Sequence, residues 1–189
     1  MRLKLRAGSD KLKLKDKLRR GLWQLVWLLL FRPTPRRFGN TWRLGLLRLF
    51  GAQVSRCLIM PSCRILKPWL FTIGRDSAVA DDVYLYNHGS MEIGHQVVIS
   101  HGAFLCGGTH DPKDPLFRLI SKPIRVGDEA WVAAEAFVHP GVTIGRGTVI
   151  GARSVVTKDM PDWMICVGNP CVPIKPRVIG LDGADEMMS

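Results

Sequence analysis

The sequence predicts an all-β solenoid, a triangular parallel β-helix preceded by a basic helical arm. Three observations lead there. From residue 73 an aliphatic residue recurs every sixth position; a glycine follows the opener of the first hexad in each set of three; and the basic excess lies entirely before residue 51. Residues 1–50 carry 14 Lys and Arg against Asp10 and Asp16, a net +12, while the remainder carries 13 basic and 14 acidic residues, a net −1. A charge so localised suits an anionic surface rather than general nucleic-acid binding, and no basic stripe with interleaved aromatics follows residue 50, so nucleic acid is not an expected partner.

In the arm, Leu14, Leu18, Leu22, Leu25 and Leu29 fall at helical spacing among Lys13, Lys15, Lys17, Arg19 and Arg20, so residues 10–31 read as a basic amphipathic helix. Ser9 or Asp10 would cap it and "RPTP" would end it. Two roles fit and do not exclude each other. The helix can cover the unpaired edge at the end of the solenoid, or it can lie on anionic lipid with Trp23, Trp27 and Leu28 in the headgroup boundary. The run "LWQLVWLLLF" is ten residues long, about half of the roughly 20 needed to span a bilayer. It lacks the features of a secretory signal. The expected location is cytoplasmic, with a peripheral contact at the inner face of the cytoplasmic membrane as a second expectation. A second short helix, "TWRLGLLRLF", follows.

An irregular first coil is expected over residues 54–71. The regular openers are Ile73, Val79, Leu85; Ile93, Ile99, Leu105; Val126, Val132, Val138; and Ile144, Ile150, Val156. Most positions four later are small, among them Ser77, Ala103, Ala130, Ala136, Thr148 and Ser154, and the residues after the first openers are Gly74, Gly94, Gly127 and Gly145. Six residues per short strand and three strands per turn put the openers inside and small residues at tight corners. Six does not mark one face of a 3.6-residue helix, so a helical reading fails. Such a stack needs caps at both ends, here the arm and the tail "GNPCVPIK". The expected division is an arm over 1–50, a β-helix over 51–176 and a tail over 177–189.

The repeat breaks twice. Met91 and Glu92 precede the second triplet as two extra residues, and residues 111–125 stand outside the coil as an insertion. Insertions in a solenoid leave from corners and tend to form the binding face. His110 is thus the last residue of a rigid coil at the base of a projecting loop, where an imidazole can take a proton from an attacking hydroxyl. Of the five histidines only His88 and His110 share a corner, so no three-histidine metal site assembles within one subunit and no metal is expected. Five cysteines with no CxxC pair read as small buried hydrophobes.

The segments "LCGGTHDPKDPLFRLISKPI", "GDEAWVAAEAFVHPGVTIGRGTVIGARSVVTKDMP", "VGNPCVPIK" and "FRPTPR" resemble the hexapeptide-repeat acyltransferases. The resemblance is to their galactoside and maltose acetyltransferase branch, nearest to exopolysaccharide acetyltransferases of the colanic acid type. It implies a left-handed β-helix, a homotrimer, acetyl-CoA as co-substrate and a carbohydrate acceptor. It carries the general base over to His110 and the acceptor contact to Asn87. Beside Asn87 stands His88, where the family pattern has an apolar residue; His88 and Asp114 complete the expected acceptor set. Asp111 and Asp114 are candidates for orienting His110. The coenzyme would lie between subunits against Trp131, Ala134, Ala152, Thr157 and Lys158, with Lys175 near its phosphates. Val172 replaces an arginine of the family's tail. A backbone amide near residues 133–134 would hold the oxyanion.

Three other readings follow from the same residues. A covalent route would run through Cys106. A scaffold would use the solenoid without catalysis. A hydratase of this fold would need a metal shared between subunits.

Overall fold

The computed structural model of the chain describes residues 14–180. The expected cap at Ser9 or Asp10, and Lys13, lie outside the described residues, as does most of the tail. The arm forms α1 (Leu14–Val26), a wider π-type turn over Trp27–Phe31, and α2 (Asn40–Leu49). The wide turn rewinds the helix so that Phe31 returns to the face of Trp23, edge-on to it with ring centroids 5.9 Å apart, and both rings are buried.

Strands follow in threes. The first coil holds β1 (Gln53–Val54), β2 (Leu58–Ile59) and β3 (Arg64–Ile65); the second β4 (Phe71–Ile73), β5 (Ala78–Val79) and β6 (Tyr84–Tyr86); the third β7 (Met91–Ile93), β8 (Val98–Ile99) and β9 (Phe104–Cys106). A hairpin, β10 (Gly108–His110) with β11 (Leu119–Ser121), interrupts the winding. The fourth coil is β12 (Ile124–Val126), β13 (Trp131–Val132) and β14 (Phe137–Val138), and the fifth β15 (Thr143–Ile144), β16 (Val149–Ile150) and β17 (Val155–Val156). Strands β18 (Met164–Gly168) and β19 (Cys171–Pro176) finish the stack, β19 turning back antiparallel on β18.

The coil strands stack in parallel into three sheets. Sheet A runs β1-β4-β7-β12-β15, sheet B runs β2-β5-β8-β13-β16-β18 with β19 at its edge, and sheet C runs β3-β6-β9-β14-β17. All twelve openers are buried in one continuous core, joined by Val54, Ile59 and Ile65 of the first coil. Met91 and Glu92 are not an excursion. They extend β7, with Met91 buried and paired to Phe71 and Ile124. Likewise Ile124 and Arg125 belong to β12 rather than to the insertion.

Corner chemistry differs from the expected form. The small residues Ser77, Ala103, Ala130, Ala136, Thr148 and Ser154 fill the inside of the corners. The tight turning occurs one residue earlier, at Asp76, Asp82, Gln96, Glu129, Glu135 and Arg153, all with φ between 55° and 61°. The glycines after the first openers serve close approach: a Cβ on Gly74 would lie 2.6 Å from the Gly94 carbonyl, and one on Gly145 would lie 2.6 Å from Asp162 N.

The arm closes the first coil by hydrogen bonding. Trp23 Nε1 donates to Ile65 O at 2.6 Å and Trp27 Nε1 to Cys63 O at 2.8 Å on the edge of sheet C. On sheet B, Asn40 donates to Cys57 O at 2.8 Å and accepts from Ile59 N at 3.1 Å, while Arg43 Nε donates to Ile59 O at 2.8 Å. On sheet A, Arg48 donates to Val54 O at 2.9 Å. Edge groups that no neighbouring strand can reach are thereby paired. Trp23 and Trp27 therefore face the coil, which corrects their placement in a lipid boundary.

Candidate active site

The hairpin leaves the solenoid where sheet C turns toward sheet A. His110 pairs across it with Leu119, and its base is fixed to the coil by Gly107 N–H donating to Tyr86 O at 2.9 Å and Lys122 N–H donating to Gly107 O at 3.0 Å. His110 is exposed at the end of β10.

Its imidazole is held from two sides. Nδ1 lies 2.8 Å from Phe117 O, and the Phe117 ring stacks on the imidazole with centroids 4.4 Å apart and planes 9° from parallel. A carbonyl only accepts, so Nδ1 carries the proton and donates it, which leaves Nε2 as the basic nitrogen. Phe117 sits at φ 49°, a left-handed conformation that costs a bulky residue about 1–2 kcal/mol. That turn aims its carbonyl at His110.

Asp114 secures the turn. Its carboxylate accepts from Leu116 N at 3.0 Å, from Arg118 N at 3.2 Å and from Arg118 Nε at 2.7 Å. The Arg118 hydrogen bond, followed by that from Leu116, holds the Asp114 carboxyl down to about 2. Asp111 accepts from Lys113 N at 2.8 Å. The partner of His110 Nδ1 is thus the Phe117 carbonyl, and Asp114 acts on the loop that carries it.

Asn87 and His88 occupy the same corner one coil nearer the arm. Asn87 is fully buried, its Oδ1 accepting from Lys67 N at 2.9 Å and its Nδ2 donating to Lys67 O at 2.7 Å. Its amide is committed to the neighbouring coil. His88 packs edge-on to Tyr86 with centroids 4.5 Å apart and lies over Gly108, where an added Cβ would meet the imidazole at 3.1 Å. His88 thus supports the strand that ends in His110.

The expected coenzyme residues fall at separate places on one chain. Trp131 points outward from sheet B, its Nε1 donating to Ser100 Oγ at 2.9 Å. Ala134 and Ala152 stack at the corner between sheets B and C, where Arg153 N–H donates to Ala134 O at 2.9 Å. Thr157 and Lys158 are exposed at the far end of sheet C, on the corner line of His110, two coils further along. Lys175 is exposed on β19 beside Ile165, and Val172 is exposed on the same strand.

A family model described as bacterial transferase hexapeptide, six repeats, matches residues 123–158. The Escherichia coli (strain K12) protein WcaF, named as a candidate colanic acid biosynthesis acetyltransferase, is 45% identical over 158 residues, 83% of this chain and 86% of that one. The chain belongs to the hexapeptide-repeat acetyltransferases. Its structure is similar to a galactoside acetyltransferase solved in complex with coenzyme A, with a TM-score of 0.80 at 25% identity over 93% of this chain and 91% of that one. A maltose O-acetyltransferase from Clostridium difficile 630 gives a TM-score of 0.78 at 28% identity over 95% and 99% of the two chains. As a hexapeptide-repeat acetyltransferase it is an acyl-CoA-dependent enzyme on a left-handed β-helix.

Four of the five cysteines, Cys57, Cys63, Cys166 and Cys171, are buried in the core. Burial pushes the Cys57 and Cys166 thiols up to about 11 and raises Cys63 and Cys171 as well. Cys106 is half-buried, its thiol 3.1 Å from Gly108 O. Among the described residues no group of three or more His, Cys, Asp or Glu is placed to hold a metal ion. Sequence reasoning missed Phe117. Its contribution is a carbonyl, which every residue has, and its only signal was membership of the insertion after His110.

Proposed function

We propose that this acetyltransferase moves acetyl from acetyl-CoA directly to a sugar hydroxyl in exopolysaccharide or lipid-linked glycan assembly. The observation that carries the reading is the fixed tautomer of His110 at an open corner. Nε2 takes the acceptor proton as the hydroxyl oxygen attacks the thioester carbon. The tetrahedral oxyanion collapses, the C–S bond breaks, and the departing thiolate takes the proton back from the imidazolium. Ala133 N–H donates to Ile150 O at 2.9 Å, so of the 133–134 pair the oxyanion donor in this reading is Ala134.

Ala134 lies at the corner before sheet C and His110 at the corner after it, so the reading places the reaction between subunits of a homotrimer. The Ala134 and Ala152 corner of one copy would then face the His110, Thr157 and Lys158 corner of the next. The small alanines leave room for the pantetheine arm, while Lys158 and Lys175 offer point charges to phosphate. Asn87 and His88 shape the acceptor side through the wall beneath His110. The +12 arm supports peripheral contact with an anionic membrane, where a lipid-linked acceptor would reside; no helix among the described residues is long and apolar enough to cross one.

The test is transfer from acetyl-CoA to a pool of sugars, nucleotide sugars and lipid-linked oligosaccharides, read by mass spectrometry, with light scattering for the trimer. The expected result is product from the wild type and a loss of about 10²-fold or more in His110→Ala. Equal activity of the two proteins would remove His110 as base.

A further inference from the structure

We propose that the outward leucine face of α1 is a lipid-docking surface that stands the solenoid upright on an anionic bilayer. This rests on the peripheral-membrane reading above and names the surface and the posture.

An amphipathic helix on a globular domain ordinarily turns its aliphatic stripe inward. Here the order is reversed. Trp23 and Phe31 are 1% and 0% exposed against the coil, whereas Leu14, Leu18, Leu22, Leu25 and Leu29 are 71%, 66%, 56%, 53% and 58% exposed along the opposite side. The stripe continues sideways onto α2 through Trp42, 53% exposed, whose Nε1 donates to Leu30 O at 2.9 Å. A continuous apolar surface of this kind marks a docking site.

Charge selects the occupant. At 100° per residue, Lys15 and Lys17 fall on either side of the stripe, where long stems can lie along lipid and ammonium groups reach phosphate. Asp16, the one acid in α1, falls seven residues before Trp23 and so shares the coil-facing side. A second copy is a poor occupant, because pairing two arms would set +12 against +12.

Posture follows from the cap. The carbonyls covered by Trp23 of α1 and by Trp27 of the wide turn that continues it, Ile65 and Cys63, belong to the first coil and have no further strand beyond them. The leucine face is therefore the end surface of the solenoid. His110 stands two coils above the first, about 10 Å at the usual strand spacing. A helix diameter of about 10 Å lies beneath. A sugar carried on a lipid headgroup would thus meet His110 within about 20 Å of the bilayer surface.

The experiment is flotation of the full chain with vesicles of phosphatidylcholine alone or with 30% phosphatidylglycerol added. The variants are Leu18→Ser/Leu22→Ser/Leu25→Ser and Lys15→Glu/Lys17→Glu, and acetyl transfer to a soluble acceptor is followed in parallel. The expected result is binding to the anionic vesicles that weakens with salt and falls about tenfold or more in each variant, with soluble transfer unchanged. Vesicle binding that the serine variant retains would overturn the leucine-face assignment while leaving the peripheral reading standing. Absence of binding by the wild type would overturn both. A changed oligomeric state in the serine variant, with no effect on lipid, would make the face a subunit interface and overturn the proposal.

Discussion

The solenoid wall and the hairpin that interrupts it are built on opposite terms. In the wall, one conformation recurs: an aliphatic opener inside, a left-handed residue three later, a small residue four later. Ile99, Val132 and Ile150 do the same work in different coils. In the hairpin each contact occurs once. His110 has one carbonyl beneath Nδ1 and one ring against its face, and the Asp114 carboxylate ties the Phe117 turn through Leu116 and Arg118. Repetition gives the wall rigidity, and the single-copy contacts give the site its geometry. Damage to the wall should therefore appear as lost folding, and damage to the hairpin as lost turnover in a folded protein.

The largest effect is expected from Val132→Asp, which puts a carboxylate among fully buried core residues. An unpaired buried charge costs several kcal/mol, and circular dichroism should show no cooperative melting transition at the wild-type temperature. Next comes His110→Ala, with the wild-type melt retained beside the transfer loss given above. If the melt also fell by more than a few degrees, the separation of wall from hairpin would fail.

A finer test compares Phe117→Ala with Phe117→Gly. Both keep the carbonyl and remove the stacked ring, but glycine tolerates φ 49° without strain. Both should lower kcat by about tenfold while KM changes little, and the glycine variant should melt higher by about 1 kcal/mol of stability. A kcat equal to wild type in both would show that the ring does not position the base.

The smallest effect concerns acid. Asp114 is held at about 2 in the folded chain, below the ordinary carboxylate range near 4. A depressed folded value stabilises above the unfolded value and is lost as pH falls through the folded one. The Leu116 and Arg118 amides should therefore keep their hydrogen-bonded NMR shifts to about pH 3 and lose them toward pH 2. In Asp114→Asn those shifts should not titrate in that window.

Much of the wall was legible because a solenoid writes its geometry once per six residues. Every opener from Ile73 to Val156 is inside. The turning positions were not, because Asp76, Gln96, Glu135 and Arg153 share no composition; they share only φ, imposed by the flanking strands. Met91 and Glu92 looked surplus because the count began at the opener, whereas β4, β7 and β12 begin two residues earlier. In the arm the leucine period was plain, but its direction was not. Trp23 and Trp27 carry both apolar area and an N–H, and the carbonyls of Cys63 and Ile65 needed donors that leucine lacks. At the site, the corner position of His110 was readable from the broken repeat. Its partner was not, because a carbonyl aimed by a backward turn leaves no side-chain mark.

The closed first coil has a further consequence. A parallel stack whose last strand is bare is a template on which another chain can grow, and the same ladder that builds the solenoid would build a fibre. Asn40, Arg43, Arg48 and the two tryptophans occupy the carbonyls along which such growth would start. They fix the length of the molecule as firmly as the repeat fixes its width.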